Sequence, residues 1–432
     1  MRSRPLALMT RLADCLKPTA QIGAQPSGSE TPLGAFPPPR PETHISIPMR
    51  ELTEDTTRAD AARTRGQFLA RQDMWDTLLH EIHQADMARA TTGQGLPVAE
   101  LLAFGARTDV VQATDTAIRD GCACDDPALT AGINALEALR HDLDTTPDTA
   151  PYLATVLAQA HLDIGWAWRG NDWRDGLPED RRQKCAAHFD RATALMAPYN
   201  GVELNSPLVA ATQCALLAGA SDPNQRISDD YEDLIDLDPH NFRHMRALGH
   251  YLLPRWFGSY AELDRQAKNT AARTRDIWGD GGYTWVCFDA IARDAGAFDR
   301  LDADRFIAGL HDIVAARPDQ ATVNLLAAYC ALTLPLDASS DARPNDRHAD
   351  KRAGIAASAD WLIRDHLTEL HPMIWAHALD RFDNNATVGS VERFAARGRR
   401  SAFRVLGEVF GDDIRRGTHI TFTETGLSMR PI

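Results

Sequence analysis

Arg243, Arg246 and His250 recur at intervals of three and four residues, which on a helix puts the three side chains on one stripe. Arg255 follows close enough to extend that stripe past the helix end. A guanidinium presents a planar fork of donors that grips a carboxylate through two parallel hydrogen bonds, so this spacing points to recognition of an anionic group. The whole chain carries a net charge of −14, and a local cationic stripe stands out against it. The competing reading of the same residues is a solvated face, or arginines paired with neighbouring acids.

Trp166, Trp168 and Trp173 fall within eight residues beside Arg169, Asp172 and Arg174. Such a cluster is a candidate aromatic platform for a sugar in a helical-toroid glycosidase, which would also need two positioned carboxylates. Packing of a helix end against its loop is the simpler expectation. In "HEIHQAD", His80 and His83 are three apart rather than four and Glu81 points off their shared face, so this is not the zinc-protease arrangement. Glu81, His83 and Asp86 are expected on a solvated helix face. His240 and His244 lie one turn apart with no third ligand nearby, and helix-start polarity accounts for them. Cys122 and Cys124 lack a second pair at zinc-like spacing, and Asp125 and Asp126 oppose thiolate formation. No glycine-rich loop ends in Lys-Ser/Thr, and no Gly-x-Ser-x-Gly elbow occurs. The expectation is a non-enzymatic protein without catalytic residues, metal or cofactor.

The elements that must position these residues are helical. From about Glu54 to Phe410 apolar side chains keep a helical period, as in Trp75, Leu78, Leu79 and Ile82 or Phe306, Leu310, Ile313 and Val314. Short breaks such as "TTGQG", "GASDP" and "GDGG" separate them, as antiparallel helix pairs require. Ser206 reads as a cap ahead of Pro207. Eight prolines between Pro18 and Pro48 mark a segment too poor in large apolar groups to fold alone. Residues 1–50 are therefore expected as a disordered extension, with a short amphipathic helix on Leu8, Leu12 and Leu16, and residues 51–415 as the helical domain. Residues 416–432 are expected as an extended tail in which Ile420 and Phe422 share one side of a lone strand that pairs with another chain or folds back. The basic run Arg393, Arg397, Arg399, Arg400 and Arg404 is expected on a capping helix with one buried and one solvated face.

The clearest repeat-like region is 152–293. Asp238-Pro239 with Asn241, then Leu248-Gly249, then "GSYAEL" with Leu263, Ala267 and Ala271, resembles a tetratricopeptide repeat lengthened by two residues. Upstream, Cys185, Phe189, Ala192 and Pro198 resemble a second helix of such a repeat. "AHLDIGWAWRG", "LDPHN" and "LLPRWFGSYAEL" together resemble an uncharacterised bacterial family of tetratricopeptide-like domains of unknown function, over roughly residues 60 to 300. Phe257 departs from that pattern, where a small residue is usual. The resemblance implies an all-α fold of antiparallel helix pairs stacked as a tetratricopeptide-like α-solenoid, and offers no catalytic residues. It also implies that Arg243, Arg246 and His250 face a concave groove of the kind that holds acidic peptide ends.

Seven scattered cysteines and no long apolar run suggest a soluble, cytoplasmic protein, and only four lysines (Lys17, Lys184, Lys268, Lys351) among 46 basic residues suggest a GC-rich bacterial source. The acidic balance gives no general field for nucleic acid or anionic membranes. The expected function is a scaffold for an unknown, acidic protein or peptide. The alternatives are a toroid enzyme on a carbohydrate-like substrate and a structural or regulatory subunit docked through the C-terminal segment.

Overall fold

The computed structural model describes residues 41–50, 53–123, 126–170, 177–220, 222–335, 347–382 and 390–431. These are mostly helical, with one small sheet. In chain order they include α1 (Pro41–His44), β1 (Ile45–Ser46), α2 (Glu54–Arg71), α3 (Trp75–Met87), α4 (Val98–Arg119), α5 (Ala131–Asp142), α6 (Ala150–Arg169), α7 (Glu179–Met196), α8 (Pro207–Leu216), α9 (Ile227–Leu237), α10 (Phe242–Tyr251), α11 (Tyr260–Arg273), α12 (Arg275–Trp278), α13 (Gly281–Arg293), α14 (Ala303–Ala316) and α15 (Gln320–Ala328). Helices at Pro372–Leu379 and Val391–Val409 lead to β2 (Thr418–Thr423) and β3 (Gly426–Pro431).

Helix starts are set by local chemistry. Ser206 accepts from the Val209 amide ahead of Pro207, and Asn241 accepts from the Arg243 amide at the start of α10. Ser259 accepts from the Glu262 amide to start α11. Close crossings need glycine. A Cβ on Gly249 would stand 1.7 Å from the Val286 carbonyl oxygen of α13, so the Leu248-Gly249 pair lets α10 lie directly against α13. Gly66 of α2 and Gly105 of α4 do the same reciprocally, each meeting the other helix's backbone.

Two apolar cores result. One runs from Leu69 to Ala215 through Leu78, Ile82, Leu102, Val156 and Leu157; the other gathers Leu248, Leu252, Trp285, Phe288, Phe306, Tyr329, Trp375 and Leu406. They meet at a polar seam. There Arg317 donates to the Gly93 carbonyl at 2.8 Å and lies over the Phe242 ring.

The "HYLLPRWFGSY" corner between α10 and α11 is a compact turn, closed by Trp256 N–H to Leu253 O (2.8 Å) and Phe257 N–H to Tyr251 O (3.1 Å). The unexpected Phe257 stacks on Tyr251 at 5.7 Å, and Tyr260 anchors α11 by donating to Asp294 at 2.9 Å.

Both chain-end expectations need correction. The strand at 418–423 is not alone: it pairs antiparallel with β3 and parallel with β1, in the order β1-β2-β3. Ile420 and Phe422 do share its buried side. Residues 41–50, assigned to the disordered extension, join the fold, with Ile45 opposite Ile420, Ile47 buried, and Arg50 paired with Glu369 at 2.5 Å. Residues 1–40 lie outside the described residues. Among the described residues, no helix is long and apolar enough to cross a membrane.

Candidate functional site

The α10 stripe is assembled as its spacing requires, but its members meet different surroundings. Arg246 donates through Nε and Nη2 to both oxygens of Asp289 on α13, at 2.7 and 2.9 Å, and its guanidinium lies 4.9 Å from the Phe288 ring centre. Burial opposes the Asp289 charge, yet Arg246, with Arg293, holds that carboxyl below the usual carboxylate range. Phe288 is fixed from behind by Tyr329, which stacks on it at 3.8 Å and donates to its carbonyl at 2.6 Å from within a π-helical turn. This position is an internal ion pair.

Arg243, one turn earlier, is half-buried and makes no side-chain hydrogen bond or ion pair among the described residues. Burial pushes its guanidinium below the ordinary value; Glu100 of α4 opposes this, while Arg246 and Arg63 of α2 add to it. Arg63 is already held by Asp60 at 2.7 Å. Two helices thus bring like charge toward Arg243, and one unbonded carboxylate offsets it.

His250 is a correction to the groove expectation. It is 3% exposed, packed against Tyr251 and Trp256 at 5.4 Å each, and neither ring nitrogen finds a hydrogen-bond partner. Burial, then Arg293 and Arg255, push its pKa well below the ordinary histidine value, so it is neutral near pH 7. Arg255, half-buried in the turn, brings its charge to His250 and to Tyr260 rather than into an open groove. The sequence could place the stripe but not Asp289, Arg293, Arg63 or Glu100, which arrive from three other helices; the four-residue spacing of Asp289 and Arg293 was the one local hint.

The tryptophans do not form a platform among the described residues. Trp168 is buried in the first core, whereas Trp166 is half-buried, edge-on to Phe189 at 5.5 Å with Arg169 over it at 5.8 Å. Trp173 lies outside the described residues. Below them sits a relay that no motif announced. Glu137 is clasped by Arg191, with Nε at 2.7 Å, and lies 2.8 Å from His161 Nε2. A carboxylate only accepts, so His161 carries its proton on Nε2 and accepts at Nδ1 from His188 Nδ1, 2.8 Å away. Arg191, then His161, hold the Glu137 pKa down to about 2, and burial, then His161 and Lys184, hold His188 down to about 4.

Asp86 also departs from expectation. It is 5% exposed, not solvated: Tyr152 donates to it at 3.0 Å, the Leu208 amide at 3.0 Å, and the Ser206 hydroxyl donates as well. Burial raises its pKa against those three donors. It ties α3 to the start of α8. His83 packs on Tyr152, and Glu81 pairs with Arg65. His244 is buried beside Asn241 and Asp238 while His240 is exposed, so these two share no site. Among the described residues, no group of three or more His, Cys, Asp or Glu side chains is placed to hold a metal ion.

Comparison of the chain with protein-family models, with curated proteins and with solved structures found no match in any of the three.

Proposed function

We propose that this chain is a non-enzymatic scaffold, a tetratricopeptide-like helical solenoid that holds an anionic segment of another protein or peptide on the face carrying Arg243. Repeats that stack only on their neighbours leave a continuous curved face suited to such a segment. The observation that carries the reading is the Arg243 guanidinium: half-buried, without a hydrogen-bond partner among the described residues, and facing the like charges of Arg63 and Arg246. An uncompensated charge in such a place is unfavourable in the free protein, and an incoming carboxylate with two acceptor oxygens removes that cost. Arg246 contributes as a neighbouring charge, its own fork being filled by Asp289. His250 and Arg255 act behind the face, holding the turn that ends it.

Fluorescence anisotropy of a labelled octaglutamate peptide tests this. In a chain of net charge −14 the general field does not attract that probe, so binding reports a local cationic site, and loss in Arg243→Gln assigns it to this face rather than to the arginines of the helix Val391–Val409. Binding should be salt-sensitive and fall by about tenfold or more in Arg243→Gln, with unfolding behaviour unchanged. Equal binding by both proteins, or no binding by either, removes the proposal.

A further inference from the structure

A second surface, built from residues 42–49 and 399–422 and not including Arg243, lies where the two ends of the described chain meet. The segment Ile45–Met49, the helix Val391–Val409 and β2 enclose an open groove of about 440 Å³. Its floor is apolar: Ile47, Phe403 and Phe422 line it, and Met49, 42% exposed, forms one wall. Arg399, Glu42 and Ser46 supply its polar lining. Such a volume accommodates large apolar side chains, which water fills poorly.

The helix beside it decides what would enter. Arg393, Arg399 and Arg400 are exposed, and none makes an ion pair among the described residues, whereas Arg397 is held by Asp380 and Arg404 by Glu408. The Arg399 guanidinium instead lies against Phe403, 5.7 Å from the ring centre, where it joins the apolar floor to the charged rim. In a chain of net charge −14 this is a concentration of uncompensated positive charge directly beside the exposed Met49 side chain and the groove it walls. The combination selects against the chain's own first seventeen residues as occupant, since Arg2, Arg4, Arg11 and Lys17 outnumber Asp14.

We propose that this groove is a docking surface for a separate protein that presents one or two large apolar side chains flanked by carboxylates. The apolar side chains enter between Ile47, Met49 and Phe403, and the carboxylates meet Arg399, Arg400 and Arg393 at the rim. An apolar anchor in a pocket supplies the affinity, and the surrounding charges set orientation and partner choice.

Selection of a random dodecapeptide display library on the full chain, with counter-selection on a Met49→Asp/Arg399→Glu double variant, tests this. Both substituted side chains are exposed, so the variant folds, which its unfolding curve verifies, and its intact Arg243 removes peptides that bind the other face. The surviving sequences should combine Asp or Glu with Leu, Ile, Met or Phe. As synthetic peptides they should bind the double variant about tenfold or more weakly, and bind Arg243→Gln as they bind the unsubstituted chain. Survivors without acidic residues, or no peptide that distinguishes the two proteins, overturn the proposal. So does a dimer of the unsubstituted chain that the double variant dissolves, because the occupant is then a second copy.

Discussion

Arg107 is buried and Arg243 half-buried, each on a helix, and they are served in opposite ways. Arg107 donates to Asp163 at 2.8 Å and to Gln159 at 2.9 Å, lies against the Phe104 ring, and its side chain is 6% exposed. Gln159 is in turn fixed by donating to Thr212 at 2.9 Å. Arg243 has the same charge and none of these bonds. A buried cation that is fully bonded belongs to the architecture; a half-buried one that has given up part of its hydration for no bond points to something outside it. Arg246 stands between them, bonded to Asp289 but charging Arg243's surroundings.

The sharpest way to break this contrast is Arg107→Leu. It strands Asp163 without its guanidinium and should cost about 3–5 kcal/mol in urea unfolding. Next is Trp256→Ala at the end of the α10 stripe. Its ring covers His250 but is only half-buried, so the loss should be about 2–3 kcal/mol, below that of a fully buried ring, and octaglutamate binding should be retained. Loss of binding without loss of stability would move the contact from Arg243 to the turn.

Acid supplies a smaller effect in the first core. Burial, then His161 from α6 and Lys184 from α7, hold the folded pKa of His188 near 4 against an ordinary value of 6.5, with Glu137 from α5 and Arg191 from α7 on the far side of His161. Between those values the unfolded chain takes up a proton and the native one does not. Stability is therefore full above pH 6.5 and declines toward pH 4, by up to about 1.4 kcal/mol per pH unit. Glu137, held to about 2, extends the loss below pH 4.5. Urea midpoints from pH 7 to 4.5 should show the decline, and His188→Gln should flatten it. The smallest expected effect is the most informative: Arg243→Leu should change stability by less than about 1 kcal/mol, since no bond is lost. A cost equal to that of Arg107→Leu would make Arg243 architectural.

The helices were legible because their apolar period survives in the sequence, and the α10 stripe because intervals of three and four fix one face whatever packs against it. What met that face was not legible. Asp289 and Arg293 come from α13, Arg63 and Glu100 from residues well over one hundred positions away, and only the folded backbone joins them. Asp86 was misplaced for the same reason: "HEIHQAD" is polar by composition, and its burial is decided by Tyr152, Ser206 and Leu208. The partner strand Gly426–Pro431 carries Gly, Ser and Pro, which weaken strand character, so only the register reveals it. Prolines on either side likewise hid the alternation of Ile45 and Ile47.

The pairing of Ile45 with Ile420 has a consequence for synthesis. Each helix pair can form from residues close in sequence while the chain is still growing, but β1 has no strand to join until residue 420 has left the ribosome. Closure of the sheet is therefore a late event that a nascent or prematurely ended chain cannot reach. Until then Ile45 and Ile47 remain uncovered, and an incomplete chain exposes apolar surface that the finished one conceals.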